Sequence, residues 1–320
     1  MGPQPWSPPT EQFCHQAYFY KHGSEFFPAI ERFVREGVHA GDEVLVVLGA
    51  SKLASLRSAL GSDATSVKFA DMDLVGGNPA RIIPFWRAFL DELAPGQRAR
   101  GVGEPISSRR KGPELAECQV HESLLNVAFA DGPPFWLVCP YDTAALDDAV
   151  LDEARRAHAF VSDGHPPVVS EGHLGVDSAR QAMGKELPPA PADARQLNVD
   201  ATSVSWARHA VRAHAVGFGL SRPAADDFAL AVHEVIANSL QHGGGRAELS
   251  IWTEVEALIC EVRDFGRFHE PLAGRQRPGD TSAAGRGLWM ANQLCNLVQI
   301  RSVANGTVVR LHASRPATQS

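Results

Sequence analysis

The chain has 320 residues, 44% of them hydrophobic and 21% charged, with a formal net charge of −7 at pH 7, and this length suffices for two hydrophobic cores. The densest basic cluster is only the three residues 109–111, without interleaved aromatic residues, which argues against a nucleic-acid partner. No apolar run approaches the roughly 20 residues that span a bilayer, and the first residues lack a signal-peptide pattern, so we expect a cytoplasmic protein without membrane association.

The first half of the chain alternates short apolar runs with longer segments of helical period. Glu43–Leu48 and Phe135–Cys139 have the composition of strands, whereas Ile82–Leu93 and Leu115–Ala130 have apolar residues at helical spacing. Continuous apolar strands separated by helices are typical of a largely parallel sheet that is covered on both faces. The sequence therefore predicts an α/β domain over residues 11–162.

A proline-containing stretch without apolar periodicity follows, and we interpret residues 163–195 as an interdomain linker. A short helix over Val176–Met183 is expected to interrupt it. Beyond the linker, helical patterns over Thr202–Phe218 and Pro223–Gln241 precede strands with polar alternation. This order predicts an α+β sandwich, with helices on one face of a mixed sheet, over residues 196–313.

The second of these helices carries the first chemical motif. Ser221 is a candidate N-cap, and Glu234, Asn238 and His242 follow one another at one-turn intervals. An amide oxygen such as that of Asn238 can bind Mg²⁺, and a carboxylate such as that of Glu234 can accept a proton from an attacking hydroxyl. By itself, such a pair is common on solvated helices. The predicted buried stripe on another face consists of Phe228, Val232, Val235, Ile236 and Leu240.

Three glycine turns follow this helix in order. Asp264-Phe265-Gly266 ends a predicted strand, so that a carboxylate lies beside a point of close backbone approach. Gly285-Arg286-Gly287-Leu288 opens an apolar helical segment that is predicted to run through Leu297, and such a helix start suits phosphate. Asn305-Gly306 predicts a hairpin turn that places Thr307 first in the returning strand.

The ordered set resembles the N, G1, G2 and terminal boxes of the GHKL ATPases, which have the Bergerat fold. The Glu234-x-x-x-Asn238-x-x-x-His242-Gly243 form of the first box is most similar to the anti-sigma-factor serine/threonine kinases. The resemblance implies that Glu234 is the general base, that Asn238 is the Mg²⁺ ligand and that Asp264 holds the adenine amino group. The remaining implied ATP-binding residues are His242, Gly266, Gly285, Gly287, Leu288 and Thr307.

This resemblance also implies partners. It predicts binding to a sigma factor and phosphorylation of a STAS-type antagonist on serine or threonine, with ATP and Mg²⁺ as cofactors. Members of the family often dimerise, so a homodimer is a possible assembly. One departure is Phe268, which stands where the D-x-G-x-G form of the G1 box has its second glycine. Phenylalanine disfavours a positive φ, so we expect adenine binding to be kept and phosphoryl transfer to be weakened.

Three alternatives belong to other classes. The domain could be a nucleotide-dependent binding module without phosphotransfer, or an ATPase domain derived from a histidine kinase. The histidine-kinase alternative needs a phosphoacceptor helix that is paired with a second helix in a dimerisation bundle. His209 and His214 lie on a predicted helix without such a partner, so both are expected to be surface or packing residues. An ATP-driven clamp would need a large transducer domain, which this sequence does not contain.

The first half resembles the MEDS sensory domain, through stretches that include Gly103-Glu104-Pro105, His121-Glu122 and Cys139-Pro140-Tyr141-Asp142. This implies a RecA-like fold and a small-molecule ligand, with Glu104, His121, Glu122 and Asp142 as candidate sensor residues at strand or helix ends. Gly49-Ala50-Ser51-Lys52, after the first predicted strand, lacks a phosphate-binding loop. The cysteines show no CxxC pairing and are expected to be small buried residues, with neither a disulfide framework nor a zinc site. They are Cys14, Cys118, Cys139, Cys260 and Cys295.

Overall fold

The computed structural model of the protein describes residues 12–279 and 285–315. Contacts between Cα atoms divide the chain into two compact units, with the boundary between Ala182 and Met183. No helix among the described residues is both long and apolar enough to cross a membrane.

The first unit is built on a seven-stranded sheet with the order β3-β2-β4-β5-β1-β6-β7. Neighbouring strands are parallel except for β6 and β7, so the predicted largely parallel sheet is confirmed. Almost every residue of β2, β4 and β5 is buried, which requires cover on both faces of the sheet. The strands are β1 (Phe13–Tyr20), β2 (Glu43–Leu48), β3 (Val67–Asp71), β4 (Ala99–Gly103), β5 (Phe135–Asp142), β6 (Phe160–Ser162) and β7 (Val168–Val169).

Helices connect the parallel strands, as parallel pairing requires. The longest, α1, buries an apolar stripe and ends at Gly41, whose φ of 76° stops the helix in the left-handed conformation. The helices of this part are α1 (Gly23–Ala40), α2 (Ala50–Leu60), α3 (Met72–Val75), α4 (Ile82–Asp91), α5 (Gly112–Ala128), α6 (Asp148–Ala157) and α7 (Val176–Gly184), the last of which contains the boundary between the units.

The first strand was misassigned from the sequence. β1 lies between β5 and β6, so that Glu43–Leu48 is the second strand and the turn after the first strand is Lys21-His22, not Gly49-Ala50-Ser51-Lys52. β1 is not a continuous apolar run in the sequence, because it contains two polar residues, His15 and Gln16, that are buried in the structure.

The second unit is built on a five-stranded sheet with the order β11-β12-β10-β9-β8. All of its pairings among described residues are antiparallel, so the expectation of a mixed sheet was wrong. Its strands are β8 (Arg195–Val199), β9 (Ala247–Thr253), β10 (Ala257–Asp264), β11 (Leu297–Val303) and β12 (Gly306–Ser314), and its helices are α8 (Val204–Phe218), α9 (Arg222–His242) and α10 (Arg286–Leu294).

Three local expectations for this unit need correction. The unit begins with the edge strand β8 before its helices, and β8 was missed because most of its residues are exposed and polar. Helix α10 ends at Leu294, and Leu297 opens β11. The hairpin turn consists of Ala304 and Asn305, one residue earlier than predicted, because Gly306 already pairs with Val303.

The predicted linker, residues 163–195, holds β7 and α7 as well as an exposed stretch after α7. We predict that brief trypsin treatment of the full chain cleaves first at Lys185, which is exposed just beyond α7, because exposed backbone outside regular structure fits a protease best. Mass spectrometry should then find two resistant fragments. Lys68, exposed but within β3, serves as the internal control. Early cleavage within a sheet, with residues 163–195 intact, would refute the linker assignment.

Candidate functional site

Helix α9 carries the carboxylate and the amide on the side away from its buried stripe. Ser221 caps the helix, with its hydroxyl accepting the Ala224 N–H at 3.4 Å. Glu234 and Asn238 are half-buried, and His242 is exposed. Neither the Glu234 carboxylate nor the Asn238 amide hydrogen-bonds or pairs with another residue in 12–279 and 285–315. Both side chains are therefore accessible and available to a ligand.

The start of α10 lies directly against this pair. A Cβ atom on Gly287 would stand 2.9 Å from Asn238 Nδ2 and 3.2 Å from Glu234 Oε2, so a larger residue would press on both groups. Gly285 is the N-cap of α10, with a φ of 82°. The first backbone N–H groups of a helix have no partner within the helix and attract anions. The structure thus brings three predicted residues, Glu234, Asn238 and Gly287, to one place.

The end of β10 forms a second part of the site. Asp264 Oδ1 accepts the Gly266 N–H at 2.8 Å, and the Thr307 hydroxyl donates to the Gly266 carbonyl at 2.9 Å. Asp264 is paired with Thr307 across the β10–β12 ladder. Thr307 thus holds the backbone of the Asp264–Gly266 turn, which is a positioning contact that the sequence could not specify.

Two further glycines allow the backbone segments to approach this turn. A Cβ atom on Gly243 would lie 2.5 Å from Asp264 Cγ, and one on Gly266 would lie 2.7 Å from the His242 carbonyl oxygen. These distances are far below ordinary contact, so both positions require glycine. The end of α9 and the Asp264–Gly266 turn are thereby in contact.

The segment after this turn contains the departure from the family pattern. Phe268 is half-buried, and no non-glycine residue in the described ranges has a positive φ, so Phe268 does not take the conformation that favours glycine. Further along, the Asn292 side chain of α10 donates to the Gly274 carbonyl at 2.9 Å and fastens the segment to α10. Asn292 was not predicted from the sequence. The resemblance also predicts that an ATP lid begins here, over about residues 267–284, and residues 280–284 lie outside the described residues.

These residues fit a magnesium–nucleotide group. Carboxylate and amide oxygens are the hard ligands that Mg²⁺ prefers, and the N-terminus of α10 is a suitable place for phosphate. Asp264 Oδ1 accepts the Gly266 N–H, and Oδ2 has no partner among the described residues, so one carboxylate oxygen can accept a hydrogen bond from a base.

The first unit contains a separate cavity of about 620 Å³ at the carboxyl ends of its strands. Glu104 and Asp142, two of the predicted sensor residues, line it, as does Lys52. Lys52 Nζ lies 2.6 Å from Glu104 Oε1, and the Tyr20 hydroxyl donates to the same oxygen at 3.1 Å. Burial raises the pKa of the Glu104 carboxyl, against the opposing effect of the Lys52 charge.

The cavity walls also include the basic cluster noted in the sequence. Arg109 and Arg110 line the cavity, and Arg109 pairs with Asp73 at 2.9 Å. The cavity therefore presents both signs of charge, which suits a small polar ligand more than a purely apolar one. Tyr20 and Lys52 are further lining residues that sequence reasoning did not select.

The other two sensor candidates lie elsewhere. His121 and Glu122 are both about 1% exposed on α5 and do not line this cavity. Glu122 instead contacts two buried histidines, His15 and His158.

Two known families match the chain, one in each of its two units. Residues 14–159 match the MEDS family, described as the methanogen/methylotroph, DcmR sensory domain. Residues 197–313 match the family described as the histidine kinase-like ATPase domain. No curated protein matches the chain. The chain thus combines a MEDS domain with a histidine kinase-like ATPase domain, as predicted, and this combination is that of a regulatory ATPase or kinase-like protein.

Proposed function

We propose that the second unit is an ATP-dependent protein serine/threonine kinase of the anti-sigma-factor type. It phosphorylates a STAS-type antagonist, binds a sigma factor, and is regulated through a small molecule that enters the cavity of the MEDS domain. The observation that carries the proposal is the position of Gly287 at the start of α10, where a Cβ atom would stand 3.2 Å from Glu234 Oε2 and 2.9 Å from Asn238 Nδ2. A proton acceptor, a hard oxygen ligand and a phosphate-binding helix terminus therefore converge.

Each residue has a distinct role in this proposal. Asn238 offers its amide oxygen to Mg²⁺, and the N–H groups that begin α10 at Gly287 and Leu288 bind phosphate. Asp264 accepts a hydrogen bond from the adenine amino group. Thr307 holds Gly266 in the turn beside the base, through its bond to the Gly266 carbonyl.

Bound Mg·ATP supplies the phosphoryl group that is transferred. Glu234 accepts the proton of the partner's serine or threonine hydroxyl while the hydroxyl oxygen forms its bond to the γ-phosphorus. The bond from that phosphorus to the β–γ bridging oxygen breaks, and ADP leaves with the bond's electron pair. Glu234 is suited to this step because its half-buried carboxylate has no competing partner among the described residues.

One observation favours a second function. Phe268 replaces a glycine of the G1 box and is half-buried beside the Asp264–Gly266 turn. If this residue prevents closure over the phosphates, ATP would change the affinity for a partner without phosphoryl transfer. Incubation with γ-labelled ATP and a panel of STAS proteins separates the two functions. The kinase proposal expects label on a STAS protein, and failure of both wild type and Phe268→Gly to transfer label would favour the binding module.

The magnesium role of Asn238 has its own test. We expect Asn238→Ala to weaken Mg·ATP binding by about 1–3 kcal/mol, because a hydrogen-bonding or ligand contact to a charged group is lost. Isothermal titration with Mg·ATP and with ATP in EDTA should show that the loss depends on magnesium. Asn198→Ala, on the exposed edge of β8, is the matched control and should bind normally. An equal loss without magnesium would assign Asn238 to the nucleotide and not to the metal.

A further inference from the structure

A cluster of four potential metal ligands lies in the interior of the first unit, separate from the cavity residues. The cluster consists of His15, Glu122, Cys139 and His158, all of which are at most 2% exposed. His15 on β1 and Cys139 on β5 come from adjacent parallel strands, where His15 pairs with Leu137 and Ala17 pairs with Cys139. Because residues two apart in a strand face the same side, these two side chains project to one face of the sheet.

The ligand atoms of the cluster are close together. Glu122 Oε2 lies 3.1 Å from His15 Nε2 and 3.2 Å from His158 Nε2. Cys139 Sγ lies 3.5 Å from His15 Nε2, and all four ligand atoms are within 4.8 Å of one another. Bonds of about 2.0–2.3 Å to a tetrahedral zinc ion would separate neighbouring ligand atoms by about 3.3–3.8 Å. The separations of 3.1, 3.2 and 3.5 Å are close to that geometry, and the remaining ones do not exceed 4.8 Å.

Both histidines are held by their other ring nitrogen. His15 Nδ1 lies 3.2 Å from Asn126 Oδ1, and His158 Nδ1 lies 2.8 Å from the Ala154 carbonyl oxygen. The Asn126 amide is oriented by its own Nδ2, which donates to the Ala157 carbonyl at 2.7 Å. Since both partners of Nδ1 are acceptors, both Nδ1 atoms carry the proton. This is the anchoring that metal-binding histidines have in proteins.

The centre of the cluster contains buried acceptor atoms that lack a hydrogen-bond partner among the described residues. With protons on Nδ1, the Nε2 atoms of both rings lie next to the same carboxylate oxygen of Glu122 and carry no proton to share with it. His158 Nε2 and Glu122 Oε1 are buried without a hydrogen-bond partner among the described residues, and the two ring centroids are 3.8 Å apart. A single cation among the four ligand atoms would give these buried acceptors a partner.

We propose that His15, Glu122, Cys139 and His158 form a binding site for a zinc-type divalent transition-metal ion. Two imidazoles and a thiolate select such an ion over Mg²⁺ and Ca²⁺, which take oxygen ligands. Four protein ligands complete a tetrahedral shell, so the site is a closed one that fastens β1, β5, α5 and the end of α6 to one another. The sequence did not indicate a zinc site, because ligands at positions 15, 122, 139 and 158 form no local motif.

Cobalt provides the test, because Co²⁺ occupies zinc sites and reports its ligands by absorption. The full chain is produced in zinc-supplemented and in cobalt-supplemented minimal medium, and metal content is measured by mass spectrometry after exhaustive dialysis. We expect about one zinc or cobalt ion per chain, intense visible bands of tetrahedral cobalt, and a near-ultraviolet thiolate-to-cobalt band. Folded wild-type protein that retains no ion, or a cobalt form without the thiolate band, would overturn the proposal.

Variants identify the ligands. Cys139→Ser should abolish the thiolate band, whereas Cys14→Ser, an equally buried neighbour of His15 that lies outside the cluster, should retain it. Asn126→Ala removes an anchoring contact of His15. It should lower the metal affinity, measured by competition with a chelator, about 10–100-fold while keeping the thiolate band. Loss of the band in Cys14→Ser with retention in Cys139→Ser would place the metal elsewhere. Circular dichroism identifies variants that fail to fold. If a variant does not fold, the cobalt spectrum of the wild-type protein tests the proposal by itself.

Discussion

Replacement of Glu234 by glutamine is expected to lower phosphoryl transfer to a STAS partner by about 10²–10⁴-fold while ATP still binds. Glutamine keeps the size of the side chain but cannot accept the hydroxyl proton. Glu234 Oε2 would be 3.2 Å from a Cβ atom on Gly287, so its side chain is next to the helix start proposed to bind phosphate. Single-turnover transfer from labelled ATP and separate equilibrium binding measure the two effects independently.

Glu256→Gln is the matched control, because Glu256 is exposed between β9 and β10. It should transfer phosphate at the wild-type rate. If Glu234→Gln instead abolishes ATP binding, the carboxylate anchors the nucleotide or its metal, and the general-base role is wrong. If transfer is unchanged, another residue accepts the proton.

The largest effect on stability is expected for Gly306→Ala. Gly306 has a φ of 136°, and a Cβ atom there would stand 1.8 Å from the Asp264 carbonyl oxygen, which belongs to the backbone and cannot rotate away. The substitution combines backbone strain with overpacking at a strand pair, so the free energy of unfolding of the second unit should fall by about 2–5 kcal/mol. ATP affinity should fall as well, because the shift of β10 would displace the Asp264–Gly266 turn.

Gly244→Ala separates strain from collision. Gly244 also has a positive φ, of 91°, but nothing lies within 4 Å of the added Cβ atom. Only the conformational cost of about 1–2 kcal/mol is expected there. Scanning calorimetry of the full chain, with hydrogen exchange of β10 and β12 to identify the affected transition, compares the two variants. Equal losses would show that the collision with Asp264 is relieved at no cost.

Helix α9 was predictable because several local signals agree. The Ser221 cap, the proline that follows and the apolar spacing all indicate one helix. The structure buries the predicted stripe except for Leu240, which is half-buried. β1 and β8 could not be found in this way. β1 contains buried polar residues whose partners are more than 100 positions away, and β8 is an edge strand with little apolar content. Strand direction also depends on distant pairing, which explains the incorrect mixed sheet.

For the candidate sites too, the sequence predicted residues that belong to a motif and missed contacts between residues that are distant in the chain. The sequence predicted Glu234, Asn238, Asp264 and Gly287 from an ordered motif, and the structure shows which of them approach one another. The sequence could not predict that Thr307 hydrogen-bonds Gly266 or that Asn292 hydrogen-bonds Gly274. Nor could it predict that Tyr20 and Lys52 meet at Glu104. Each of these contacts joins residues that are distant in the chain. The His15 cluster is the extreme case, because four separate elements supply one ligand each.

The second unit is proposed to transfer phosphate to a hydroxyl of a partner protein. The most direct measurement is the chemical stability of the label that γ-labelled ATP leaves on a STAS protein. Phosphoserine and phosphothreonine survive acid, whereas phosphohistidine is lost in acid and survives alkali. We predict acid-stable label on the STAS protein, located to one serine or threonine by mass spectrometry and reduced about 10²–10⁴-fold with Glu234→Gln. Acid-labile label on a histidine of either protein would show that the second unit is not a serine/threonine kinase.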